Sequence, residues 1–338
     1  GPHQQHLVAE RREELRRGHP DLSVVDVGEL VAVEVHAATV AGRRGRQFTA
    51  DQRKIEQVLH DIAGPGGAGA LHRPGERQRG RPPQWWVRIG SLRDMHCRLP
   101  VQPARYLLAL TQVNVEAWRQ GRGRSRRGQE NLVWCLPPVI LEEDLDWYDQ
   151  AITVLAREGS TEFQLGHFSQ QLLFAGERES QGFRLYTNYT CNLLNSMAVK
   201  IMAAMGFAGM QFSLETDQEN LSSSLARCQS EGSPCPVGLY VFGRPALFTA
   251  RLDDRRYLYG RRFVSPKGES FILEQGEGMT QARSVLPFSL LEWRKELEAM
   301  GVSYFVVDLS SGSKKNIADL IALYFRRGVL PPVMTGNF

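Results

Sequence analysis

Short apolar runs recur along the 338-residue chain from about residue 85 onward, each ending in small or polar residues. The stretch 183–247 shows the rhythm best. It carries apolar runs at 183–186, 210–214 and 237–242, with a helix-like segment at 196–205 between the first two. Strand, helix and strand in short order is the pattern of a parallel sheet with both faces covered. Further strands are predicted at 85–91, 106–112, 131–135, 162–165 and 304–309. The third must stop at Pro137-Pro138, because proline cannot donate to a central ladder. Leu145, Tyr148, Ile152 and Leu155 repeat at helical spacing within 142–157, and 289–300 and 316–325 read as further helices. Residues 256–286 alternate and carry glycine turns, which predicts an antiparallel excursion after the seventh strand. Eight strands with intervening helices predict an α/β fold, an irregular (β/α)8-type barrel over 85–338. A doubly wound open sheet is the alternative.

The start of the chain is patterned differently. Valines alternate with polar residues around Gly28-Glu29, and Thr49 with Gln52 forms a capping box ahead of Ile55, Val58, Leu59 and Ile62. This predicts a small α+β segment over 1–63. Residues 64–84 hold glycine, proline and arginine with almost no apolar residues and read as a flexible linker.

Composition narrows the class. Hydrophobic residues make up 42% and charged residues 23%, as in soluble globular proteins. A net charge of +4 does not by itself argue for a polyanion. Its basic runs at 43–46, 72–81 and 119–127 lie near Trp85, Trp86 and Trp118, so RNA binding through Arg-rich loops is one expectation and solvated loops the other. Five widely spaced cysteines argue against a disulfide scaffold and for a reducing compartment, so a cytoplasmic location is expected. No apolar run is long enough for a membrane span.

A parallel α/β unit gathers its chemistry at the C-terminal strand ends. Asn188, Asn192 and Asn195 surround Cys191 just past the fifth strand; they can orient a polar ligand or cap the following helix. Ser213 and Glu215 share one side of the sixth strand's end, ahead of Asp217. Glu215 can accept a proton or pair with Arg244. Arg244 follows Gly243 at the end of the seventh strand, where a guanidinium can fork onto a carboxylate or phosphate. His167 can be an acid or base, or simply pack. Cys191 is the cheapest nucleophile if His167 reaches it. No metal site is expected: Cys228 and Cys235 lack a C-x-x-C partner. No G-x-S-x-G, H-E-x-x-H, P-loop or dinucleotide motif occurs.

LPPVILEEDLDWYDQAITVLAREG, FQLGHFSQ, LYTNYTCNLLNSMAVKIMAAMGFAGMQFSLETDQENL, VGLYVFGRPALFTARL and the closing TGNF resemble the peptidase U32 family, the collagenase-like group. The resemblance covers about 85–338. It implies a β/α barrel that is the C-terminal core region of a longer protein. It also implies either peptidase activity or oxygen-independent hydroxylation of RNA bases or a quinone precursor, with a [4Fe-4S] cluster on four cysteines and prephenate as oxygen donor. Asn188, Asn195, Glu215 and Arg244 match family positions. The family often carries a cysteine shortly after its Tyr/Phe-Gly-Arg motif, where this chain has TARL, ending in Leu252. The expectation is therefore no cluster in this chain, with any [4Fe-4S] centre in an upstream core region or partner. Three readings result: a hydroxylase-like enzyme fragment, a peptidase, and a non-catalytic barrel that binds RNA or protein.

Overall fold

The structure is a computed structural model that describes residues 82–310 apart from 97–98, 100, 122–130, 177–180, 232–235, 252–256, 266–267 and 277–278. The expected 1–63 segment, nearly all of the linker and the helix at 316–325 lie outside the described residues.

Seven parallel strands run in chain order as β1 (Gln84–Ile89), β2 (Arg105–Ala109), β3 (Leu132–Cys135), β4 (Glu162–Leu165), β5 (Arg184–Thr187), β6 (Met210–Gln211) and β7 (Val237–Gly243). Between β7 and the last parallel strand lie β8 (Ala246–Ala250), β9 (Arg262–Val264), β10 (Ser270–Gly276), β11 (Met279–Ser284) and β12 (Phe288–Ser289). The eighth parallel strand is β13 (Tyr304–Asp308). It sits between β7 and β1, and the sheet curls from there through β5. β6 pairs with β7 on one side. On the other, the Ala208 N–H donates to the Leu185 carbonyl at 2.7 Å and the Thr187 N–H to the Gly209 carbonyl at 3.1 Å. The architecture is thus an irregular (β/α)8-like barrel, with β6 reduced to two residues. Its helices are α1 (Gln112–Arg119), α2 (Leu145–Arg157), α3 (Ser196–Ala204), α4 (Gln218–Ser230) and α5 (Arg294–Met300).

Register and ring contacts show which residues face the barrel axis. Trp86 on β1 stacks on Tyr304 of β13 at 4.1 Å between centroids, and meets Tyr186 of β5 edge-on at 5.0 Å. Strands β1 and β5 lie on opposite sides of the ring, so these side chains fill its middle. Alternation then points Arg88, Tyr240 and Asp308 inward as well, nearer the C-terminal ends. A Cβ on Gly238 would collide with the Tyr304 ring, which explains a glycine in an otherwise apolar strand. The barrel floor is charged. The Arg105 guanidinium grips Glu162 through Nε at 2.5 Å and Nη2 at 3.1 Å, and Arg184 adds a third contact at 3.1 Å.

Three differences from the sequence expectations have local causes. The second strand ends at Ala109, because Thr111 accepts from the Asn114 N–H and opens α1 where strand was expected to run on to Gln112. Asp217 caps α4 in the same way through the Asn220 N–H, at 2.7 Å. The antiparallel excursion begins at Ala246, ahead of the expected 256. It is a separate four-stranded sheet in the order β8-β11-β10-β9, with β12 returning to pair antiparallel with β7.

Candidate functional site

The asparagine cluster after β5 is built mainly from backbone capping. Asn188 is buried, and its Oδ1 accepts from the Tyr189 N–H at 2.6 Å. Asn195 caps α3 through the Ala198 N–H at 2.8 Å. Asn192 holds a left-handed conformation (φ 55°), which asparagine tolerates better than most residues. Its Oδ1 accepts from the Ser213 hydroxyl at 2.7 Å, and that hydroxyl accepts from the Glu215 N–H at 3.2 Å. The structure therefore brings Asn192, Ser213 and the Glu215 backbone together where β5 and β6 end. The Glu215 side chain is exposed.

Arg244 follows Gly243 at the end of β7. Gly243 (φ 143°) turns the chain out of β7 toward the small sheet. The Arg244 carbonyl accepts from the Arg283 guanidinium. His167 Nδ1 is 2.8 Å from the Ser169 hydroxyl and accepts from the Ser169 N–H, so the ring caps a short 3-10 segment; burial lowers its pKa. The Cys191 thiol points at the Leu165 carbonyl at 3.5 Å, and burial pushes its pKa up to about 12. A thiol held neutral in this way is a poor nucleophile at neutral pH.

The densest arrangement of chemistry is one the sequence did not single out. At the C-terminal end of the barrel interior stand Arg88 (β1), Tyr240 (β7) and Asp308 (β13), with Tyr189 just past β5. Arg88 Nε lies 3.9 Å from Asp308 Oδ2, and the Tyr240 hydroxyl donates to the same oxygen at 3.4 Å. The other carboxylate oxygen accepts from the Ser310 N–H at 2.8 Å and its hydroxyl at 2.5 Å. The Tyr189 and Tyr240 rings meet edge-on, 5.4 Å between centroids. Arg283 reaches in from β11, with its Nη2 donating to Gln281 at 2.6 Å and its Nε 3.1 Å from Glu274. Burial raises the pKa of both phenols, most strongly at Tyr240; the Asp308 carboxylate adds to the rise, and the charges of Arg88 and Arg283 oppose it. Both phenols are therefore neutral, and Tyr240 donates its hydrogen bond to Asp308. One signal could have found this site: Arg88 and Asp308 each interrupt an otherwise apolar inward face, in WWVRI and YFVVD.

Among the described residues no three His, Cys, Asp or Glu gather into a metal-sized group. Cys135, Cys191 and Cys228 sit on three separate elements. No helix among the described residues is long and apolar enough to cross a membrane.

No family model matches the sequence. No curated protein matches it either. Among solved structures, that of the U32 peptidase Mk0906 is similar at 9% identity and a TM-score of 0.41, covering 72% of this chain and 99% of that one.

Proposed function

We propose that the barrel binds a small organic anion at its C-terminal mouth, a carboxylate or phosphate, through Arg88 and Arg283. Tyr189 serves as a neutral donor, while the Tyr240 hydroxyl stays bonded to Asp308 and its ring lines the site. The observation that supports this is the inward Arg88–Asp308–Tyr240 group with Arg283 closing over it. A half-buried guanidinium is stabilised by an anion. Here the internal carboxylate of Asp308 lies at 3.9 Å from Arg88 Nε and is engaged more closely by Ser310. A ligand oxygen that forks onto Arg88 leaves the Ser310 hydrogen bonds to Asp308 in place. Asp308 holds Tyr240, and Ser310 holds Asp308, so the wall of the site is fixed before the ligand arrives.

An anion site of this kind supports the enzyme-fragment reading. Hydroxylation of RNA or a small aromatic substrate, with the redox centre in another part of a larger protein, uses this chain as the wall that holds the substrate. The peptidase reading draws less support, because Cys191 is held as a neutral thiol and the His167 imidazole is engaged with Ser169. The test is a titration of benzoate into the protein, followed by 15N–1H correlation spectra and calorimetry, with Arg88→Met and Arg283→Met as variants. Saturable binding that each variant weakens about tenfold or more, the worth of one charge-assisted hydrogen bond, supports the proposal. Absent binding, or binding indifferent to both substitutions, overturns it.

A further inference from the structure

Gln211 on β6 is 1% exposed, and neither its Oε1 nor its Nε2 has a hydrogen-bond partner. A buried amide left wholly unpaired is costly, and methionine or leucine would fill the same space without that cost. Its backbone N–H is satisfied by the Thr187 hydroxyl at 3.2 Å, so only the side chain is orphaned.

Two observations point this side chain into the barrel. Gln211 registers with Gly238, and Gly238 lies against the inward Tyr304 ring. Gly209, two residues before it, bridges Tyr186, and a Cβ there would lie 3.1 Å from the Tyr186 ring. Alternation carries the same inward direction on to Gln211. Along β7 the next inward residue after Gly238 is Tyr240, and along β6 the next after Gln211 is Ser213. Gln211 therefore stands one inward step below the mouth, about 7 Å along the strand. On the neighbouring strand Gly238 lies against the Tyr304 ring, on which Trp86 stacks.

We infer that Gln211 reads the far end of the ligand. The ligand class is a flat small acid whose end opposite the anion offers a hydrogen-bond donor and acceptor side by side, as a primary amide or a lactam edge does. The Gln211 carbonyl accepts from that N–H while its NH2 donates to that carbonyl, satisfying both orphaned atoms at once. This rests on the anion-binding reading of the mouth and adds a specificity determinant to it. A site whose polar group is paired only by the right ligand rejects an isostere lacking that pair.

The experiment compares 4-carbamoylbenzoate with 4-isopropylbenzoate, which has nearly the same shape and no amide. In wild-type protein the carbamoyl acid binds about tenfold or more tightly, as expected for paired hydrogen bonds. The Gln211 side-chain NH2 resonances move with the carbamoyl acid and stay in place with the isopropyl acid. In Gln211→Met the preference disappears while the melting temperature holds or rises, because the unpaired amide is gone. The NH2 shift needs no variant, so a misfolded Gln211→Met leaves the inference testable. Equal binding of the two acids, dependent on Arg88 but with unmoved Gln211 resonances, overturns this inference and leaves the anion site standing. In that case the amide is paired by ordered water only. If neither acid binds, both readings fall.

Discussion

Gly243→Ala is the sharpest test of how the mouth is built. A Cβ at residue 243 would fall against the Tyr240 hydroxyl and lie 2.6 Å from the Asp308 Cβ and 2.9 Å from the Asp308 carbonyl oxygen. All of these belong to the polar group at the barrel's end, and two of the three atoms belong to Asp308, on a central strand. Overpacking of this kind costs about 1–3 kcal/mol. The backbone at φ 143° adds about 1–3 kcal/mol for a residue with a side chain. Gly206→Ala separates the two contributions: its φ is 89°, and no atom lies within 4 Å of the added carbon. That control loses only the backbone part, about 1–2 kcal/mol. Urea titrations should therefore show Gly243→Ala less stable than Gly206→Ala by about 1–3 kcal/mol. It should also weaken benzoate binding, which Gly206→Ala leaves alone. If the two variants are equally stable, or if Gly243→Ala binds benzoate like wild type, the packing of Tyr240 and Asp308 described here is wrong.

Three further outcomes follow from groups outside the mouth. Because burial raises the Cys191 thiol to about 12, the unfolded chain releases that proton first. The contribution of Cys191 to stability is then full below the ordinary thiol value of about 8.5 and is lost as pH rises toward 12. Mass spectrometry after iodoacetamide at pH 7.5 should find Cys191 modified far more slowly in native than in unfolded protein, and labelling at the rate of a free thiol would contradict a neutral thiol held against the Leu165 carbonyl. His167 is a base with a lowered pKa, so the folded state binds its proton less readily than the unfolded chain. Stability should fall as pH drops through about 6.5, and His167→Asn, which keeps a cap acceptor, should flatten that slope in urea titrations. An unchanged slope would sink the assignment. Glu162→Gln leaves Arg105 without its carboxylate in a mostly buried setting and should cost about 1–3 kcal/mol by the same assay. A loss below about 0.5 kcal/mol would show that the floor cluster is only a surface pair.

The strand rhythm was legible because central barrel strands are buried on both faces and read as continuous apolar runs. β3 and β7 stand out in the sequence for that reason, and both are buried at every position. α1 and α4 were harder to see. α4 presents only Leu221, Ser224, Leu225 and Cys228 to the core, and its serines mask the period. The sixth strand was legible in place but not in length: only Met210 and Gln211 keep regular pairing, after which the chain follows Asn192 and Ser213 instead. The start of the small sheet was hidden because β8 continues the apolar run of β7 past one glycine and one proline. The candidate residues noted after β5 and β6 do lie at strand ends, yet Asn188 and Asn195 are engaged by backbone caps that local sequence also suggested. The inward polar group was less visible. Arg88 and Tyr240 sit inside runs that look purely structural, and only the register of β1, β13 and β7 brings them to one place with Asp308.

The central claim, that the barrel mouth is an anion site, is tested most directly by soaking crystals with 4-bromobenzoate and locating the bromine by anomalous scattering. The account predicts one strong bromine peak inside the barrel, below Tyr240 and toward Gln211. The carboxylate should lie within hydrogen-bond reach of Arg88 or Arg283. Bromine found only on the outer surface, or a carboxylate in the barrel turned away from both guanidiniums, would contradict it.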